Sequence, residues 1–175
     1  YAERKFKSGD FSRIIHITDM DGAFIPDDAV VEDAAAVDPF YSTTEIRTQI
    51  KSGIENRNQQ KRECLNRLSS LPRIWGVPYR IYYMSCNLDH ALYGKLNSTN
   101  DEKEADAFAF AQRYMENIPG FIKYIRESDF SVAGSYPQSW QYIREGLRSL
   151  ERHTNFGLCF HEETVDSEGK PGSEN

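Results

Sequence analysis

No stretch of this sequence approaches the roughly 18 consecutive apolar residues that a membrane-spanning helix needs, so no helical span and no membrane partner is expected. The opening, YAERKFKSGD, has basic residues but lacks the apolar centre of a secretory signal. Cysteine is scarce: Cys64, Cys86 and Cys159 are odd in number and widely spaced. That excludes a legible disulfide framework or zinc knuckle and points to reduced thiols in a cytoplasmic protein. Position 1 is not Met, and a fragment of a longer chain is the expectation. Apolar residues thin out after residue 160. The stretch 161–175 is acidic and rich in Ser, Gly and Glu, so a disordered acidic tail is expected there, leaving one domain over 1–160. There is no internal repeat.

What is present suffices for a packed core. Aromatic residues make up 13% of the 175 and the wider apolar set 39%, which suits one domain of ordinary size. The net charge of -6 is unevenly spread. Between Arg47 and Arg80 lie Lys51, Arg57, Lys61, Arg62, Arg67 and Arg73, against only Glu55 and Glu63. Such a basic segment in an acidic protein is either a solvated helix face or a contact for phosphate backbones, with Arg57, Lys61, Arg62 and Arg67 the candidate nucleic-acid-binding residues.

Strand and helix signals alternate. Arg13–Thr18 is a nearly continuous β-branched run, the pattern of a strand buried on both faces. The segment 22–40, punctuated by Gly22, Pro26 and Pro39, reads as a long loop with one strand at Ala29–Val31. A helix is predicted over Glu55–Ser69, with Cys64, Leu65 and Leu68 on its apolar stripe. YRIYYMSC is a second strand, running into a short helix capped by Asn87. NDEKEADAFAFAQRYMEN predicts a helix with acids in its first turn and Phe108, Ala111 and Met115 on one face. A short helix follows Pro119–Gly120, a last one runs over Gln138–His153, and FGLCF reads as a final strand. The predicted fold class is α/β, a mostly parallel central sheet flanked by helices. In such sheets, sites form at the carboxyl ends of the strands.

The chemistry-bearing stretch is RIIHITDMDGAF, residues 13–24. In an extended chain, positions i and i+2 face the same side, so Asp19 and Asp21 would stand about 6–7 Å apart at a strand end. Two such carboxylates repel, and a hard cation such as Mg²⁺ (or Mn²⁺), which takes oxygen ligands, resolves the conflict. The other reading is a strand that ends in a polar turn, where Asp is favoured for its local hydrogen bonds. At the end of the second strand, MSCNLDHAL offers Ser85, Asn87, Asp89 and His90 to the same edge if the two strands are parallel neighbours. Asp89 is a candidate acid. His90 is a base, a phosphate contact or a packing residue, and Asn87 is first a helix cap. Cys86 lacks an orienting third group at recognisable spacing and is set aside as a nucleophile.

A strand ending in D-x-D, a helix, then a strand running into Ser-x-Asn-x-acid resembles Toprim domains. The nearest are the bacterial defence type, the OLD-like and RloB/AbiL-like nucleases. The resemblance covers Arg13–Tyr93. It implies that Asp19 and Asp21 hold Mg²⁺ and, with Asp89 as a further acid, support phosphodiester cleavage of DNA or RNA in phage defence. Toprim domains also carry a glutamate on an earlier strand. Glu3 lies too near the start to fill that place, so either that strand is expected upstream or the chain lacks a full site. A second resemblance is to haloacid-dehalogenase-like phosphatases, with Asp19 as nucleophile, Asp21 as acid/base, Ser85, and Lys95 or Lys103. It departs at Ala23 and lacks the paired acids that complete that family's metal site. A third reading has no catalysis: an α/β module that binds nucleic acid or a partner protein through its basic face.

Overall fold

A computed structural model of the chain describes residues 6–160. The expected acidic tail, and Glu3, lie outside the described residues.

The molecule is α/β, with two small three-stranded sheets and five α-helices among the described residues. The first sheet joins β1 (Ile14–Asp19), β6 (Val77–Met84) and β5 (Arg73–Ile74), with β6 in the middle. β1 runs parallel to β6, Ile14 opposite Tyr79 and Asp19 opposite Met84. β5 is antiparallel to β6. The second sheet joins β2 (Val30–Glu32), β4 (Ile46–Thr48) and β3 (Phe40–Tyr41), again with one parallel and one antiparallel pairing. In place of one mostly parallel sheet there are thus two mixed ones. The reason lies in the segment between β1 and α1, which builds a sheet of its own.

Helix α1 (Lys51–Ser70) turns Ile54, Asn58 and Leu65 inward. Cys64, expected on that stripe, is exposed. One core cluster gathers Leu65, Tyr79, Ile81, Tyr83, Trp140 and Ile143 around Met20 and Ala23. Another gathers Ile25, Val30, Ile46, Ile54, Cys86 and Leu150 between the second sheet and the end of β6. The turn after β1 therefore touches both. Gly22 makes this fit: its φ is +67°, and a Cβ there would lie 2.8 Å from Leu150 Cδ2 and 2.9 Å from Ile46 Cδ1.

Helix α2 (Leu88–Tyr93) begins where predicted, with Asn87 Oδ1 accepting from the His90 N–H at 2.9 Å. Helix α3 (Asn100–Tyr114) starts in a capping box of Thr99 and Glu102. Its expected apolar face is the outer one: Phe108 and Met115 are exposed. The inner face is aromatic instead. Phe110 and Tyr114 pack against Tyr93, Phe121 and Tyr124 of the neighbouring helices. Helix α4 (Ile118–Glu127) takes Pro119 into its first turn, where a missing N–H costs nothing.

Helix α5 (Tyr136–Ile143) ends ten residues before the predicted His153, and the chain continues in turns through Gly146, at φ +56°. Those turns present the Ser149 and His153 carbonyls to the N–H groups of Cys86 and Ser85, at 3.0 and 2.8 Å. The end of β6 finds its hydrogen-bond partners there, which overrides the helical periodicity. FGLCF is a 3-10 helix, Phe156–Phe160, rather than a strand. Phe156 and Phe160 meet edge to face with centroids 5.2 Å apart, and Gly157 packs tightly against the Ile125 carbonyl. Nor is β1 buried on both faces: Ile15 and Ile17 are 41% and 45% exposed.

Candidate functional site

The carboxyl ends of β1 and β6 meet the start of α2, and the parallel pairing puts the candidate acids at one edge. β1 ends at Asp19, which is half-buried. The backbone N–H of Leu88, the first residue of α2, favours its charged form. Burial pushes the Asp19 carboxyl above the ordinary carboxylate range. The charges of Asp21 and Asp89 push it the same way, and Lys61 and the Leu88 bond pull against them. Asp19, Asp21, Asp89 and Lys61 therefore share one electrostatic neighbourhood.

Asp21 does not stand on the strand. Its φ of +48° places it in a left-handed turn. Its N–H donates to the Cys86 carbonyl at 2.6 Å, and its own carbonyl accepts from Arg57 Nη2 at 2.7 Å. Its Oδ2 forms an ion pair with Lys61 Nζ, both side chains about two-thirds or more shielded. The simple extended geometry read from the D-x-D spacing is thus replaced by a strand end plus a tight turn.

Arg57 and Lys61, one helical turn apart on α1, point at this edge and not at solvent. Arg57 also donates to Tyr41 Oη at 2.5 Å and to Asn58 Oδ1 at 2.8 Å. Arg62 is half-buried with Nη1 on the Ile25 carbonyl at 3.4 Å, and Arg67 is exposed near the end of α1. The four cations expected to form a basic face therefore divide: Arg57 and Lys61 serve the acidic edge, Arg62 ties down a loop, and Arg67 alone faces water.

Two expected pocket residues do not join the edge. Ser85 is fully buried, its hydroxyl donating to the Arg148 carbonyl at 2.7 Å. His90 is 4% exposed, and its Nδ1 has no partner. Burial, then the charges of Arg152 and His153, pull its pKa down to about 4, so it is neutral at ordinary pH, and its electrostatic neighbours are Arg152 and His153 rather than the acids. Cys86 is buried, and burial plus the two aspartates raise its thiol to about 12, which makes it inert. Lys95 pairs with Asp106 at 2.7 Å. Ser85 is also committed elsewhere, which leaves Lys103 as the remaining lysine of the phosphatase reading.

Could the edge take a divalent cation? Among the described residues, no three His, Cys, Asp or Glu side chains are grouped as a metal-holding set. The donors at hand are two carboxylates, with Asp89 close enough to be felt electrostatically. All are hard oxygen donors. Mg²⁺ is commonly held by one or two carboxylates, with waters and substrate phosphate completing its shell, so the residues fit such an ion.

Tyr41 is the site residue that sequence reading missed. It sits on a two-residue strand with no local motif, and only the tertiary fold brings its hydroxyl to Arg57. The inward role of Arg57 and Lys61 was partly legible, since both lie within a turn of the buried Ile54, Asn58 and Leu65. No family model matches the chain, and no curated protein and no solved structure is significantly similar to it.

Proposed function

We propose that this edge is a metal-dependent phosphodiester site of Toprim-like type, acting on DNA or RNA. The observation that supports it best is the mutual repulsion of Asp19 with Asp21 and Asp89 at the carboxyl end of a parallel strand pair, with the Lys61 ammonium paired to Asp21. A bound Mg²⁺ or Mn²⁺ would polarise a phosphoryl oxygen and lower the pKa of a bound water. Asp19 and Asp21 supply the oxygen donors. Lys61, exchanged off Asp21, carries a compact charge on a flexible stem to the phosphodiester. Arg57 keeps the Asp21 turn in place through the carbonyl bond. Asp89, in the first turn of α2, is the group left to hold or accept a proton at the attacking water.

The test is cleavage of end-labelled single- and double-stranded DNA and RNA with Mg²⁺ or Mn²⁺. Asp19→Asn and Asp21→Asn should each lower the rate at least about 100-fold, beyond the loss typical of outer-shell partners of metal ligands. Cleavage untouched by either change would remove the proposal.

One observation favours a second reading. The Leu88 N–H and Lys61 already offset part of the charge of the two aspartates without a metal, as they would in a non-catalytic module whose acidic edge is structural. Under that reading no metal supports cleavage, and Lys61→Met destabilises the fold by leaving a partly buried carboxylate unpaired.

A further inference from the structure

Beside the acidic edge lies an open cleft of about 480 Å³, walled by β3 and by the segment from Asn97 to Lys103. Two of its lining residues connect to the aspartates. Tyr41 lines the cleft, and its hydroxyl holds Arg57, which holds the Asp21 carbonyl. Asn87 lines it too, and caps the helix whose first N–H favours the charged form of Asp19. The wall is rigid where it meets β3: Asn97, at φ +56°, grips the Tyr41 backbone through both its amide atoms, at 2.7 and 2.8 Å. Phe40 on this wall is 53% exposed, an aromatic ring displayed by a fixed two-residue strand.

The lining chemistry is mixed. Phe40 and Pro39 give flat apolar surface, Asn87 gives an amide, and Asp38 and Lys103 give one charge of each sign. A bare phosphate would meet the Asp38 carboxylate as well as the Lys103 ammonium. A nucleobase suits the set better, because it has a face to stack and an edge carrying donors and acceptors.

We infer that this cleft receives an unstacked base of single-stranded nucleic acid, stacked on Phe40, next to the phosphate presented to Asp19 and Asp21. The inference rests on the phosphodiester reading for the neighbouring site and names its substrate as single-stranded. A duplex keeps its bases stacked inside and cannot offer one to Phe40 without unpairing it.

The experiment measures binding and cleavage separately. Fluorescence anisotropy with a labelled 15-nucleotide single strand, and with the matching duplex, is recorded in EDTA at low salt. Wild type, Phe40→Ala and Phe40→Trp are compared, with circular dichroism as a folding control. Phe40→Ala should weaken single-strand binding about fivefold or more, the usual worth of one aromatic stack. Phe40→Trp should retain it, and duplex binding should not respond to either change. Single-strand affinity indifferent to Phe40→Ala overturns the inference, even if metal-dependent cleavage is found. Phe40-dependent binding with no cleavage under Mg²⁺ or Mn²⁺ sustains the cleft and removes the catalytic reading alone.

Discussion

At the scale of single residues, two positions carry the strongest constraints. Gly22 must turn left-handed in a space that a methyl group would overfill. Gly22→Ala should therefore cost about 2 kcal/mol or more, from strain and overpacking together, read as a lower midpoint in urea. His90 is buried neutral, with a pKa near 4 in place of 6.5. Its native pKa is depressed, so the unfolded chain binds the proton first as pH falls. Stability is then fully present above pH 6.5 and is lost as pH drops towards 4, by roughly 3 kcal/mol in all. His90→Gln should flatten that part of a stability–pH profile, and an unchanged profile would show that His90 is not its source. The identity of the acids was legible from the D-x-D spacing. Their geometry was not, because the left-handed φ of Asp21 follows from its bonds to Cys86 and Arg57, which lie 65 and 36 residues away in the chain.

Among the elements, local signals worked where local physics decides. The β-branched run of β1, the Tyr-rich β6, the Asn87 cap and the acidic first turn of α3 were all readable in advance. Asn87→Ala should cost about 1 kcal/mol, the typical worth of such a cap, and should loosen the α2 start whose N–H favours the charged form of Asp19. Amide exchange in Leu88–His90 would report it, and unchanged protection there would argue against the coupling. The failures came where tertiary contacts overrule periodicity. After Ile143 the chain gives up helix so that its carbonyls can serve Ser85 and Cys86. In α3 the aromatic side was chosen over the Phe108–Met115 side, because Tyr93, Phe121 and Tyr124 offered it ring partners.

For the whole molecule, the alternation of strand and helix signals was enough for the α/β class, but not for the division into two mixed sheets. The strands β3 and β5 span two residues each and leave no periodic trace. No described helix is long and apolar enough to cross a membrane. The basic segment, which looked like a nucleic-acid face, is largely consumed internally, since Arg57, Lys61 and Arg62 all have protein partners. Single-strand binding should therefore depend only weakly on salt, with a log–log slope no steeper than about −2, as for two or three neutralised phosphates. A much steeper slope would mean that a larger basic surface is engaged. The proposed site makes the repulsion between Asp19 and Asp21 that of a cation site for which Lys61 stands in. Calorimetric titration of Mn²⁺ into wild type, Asp21→Asn and Lys61→Met tests it most directly. The account predicts binding in the wild type, loss in Asp21→Asn, and tighter binding in Lys61→Met, whose competing ammonium is gone. No binding in Lys61→Met, with that protein still folded, would contradict it.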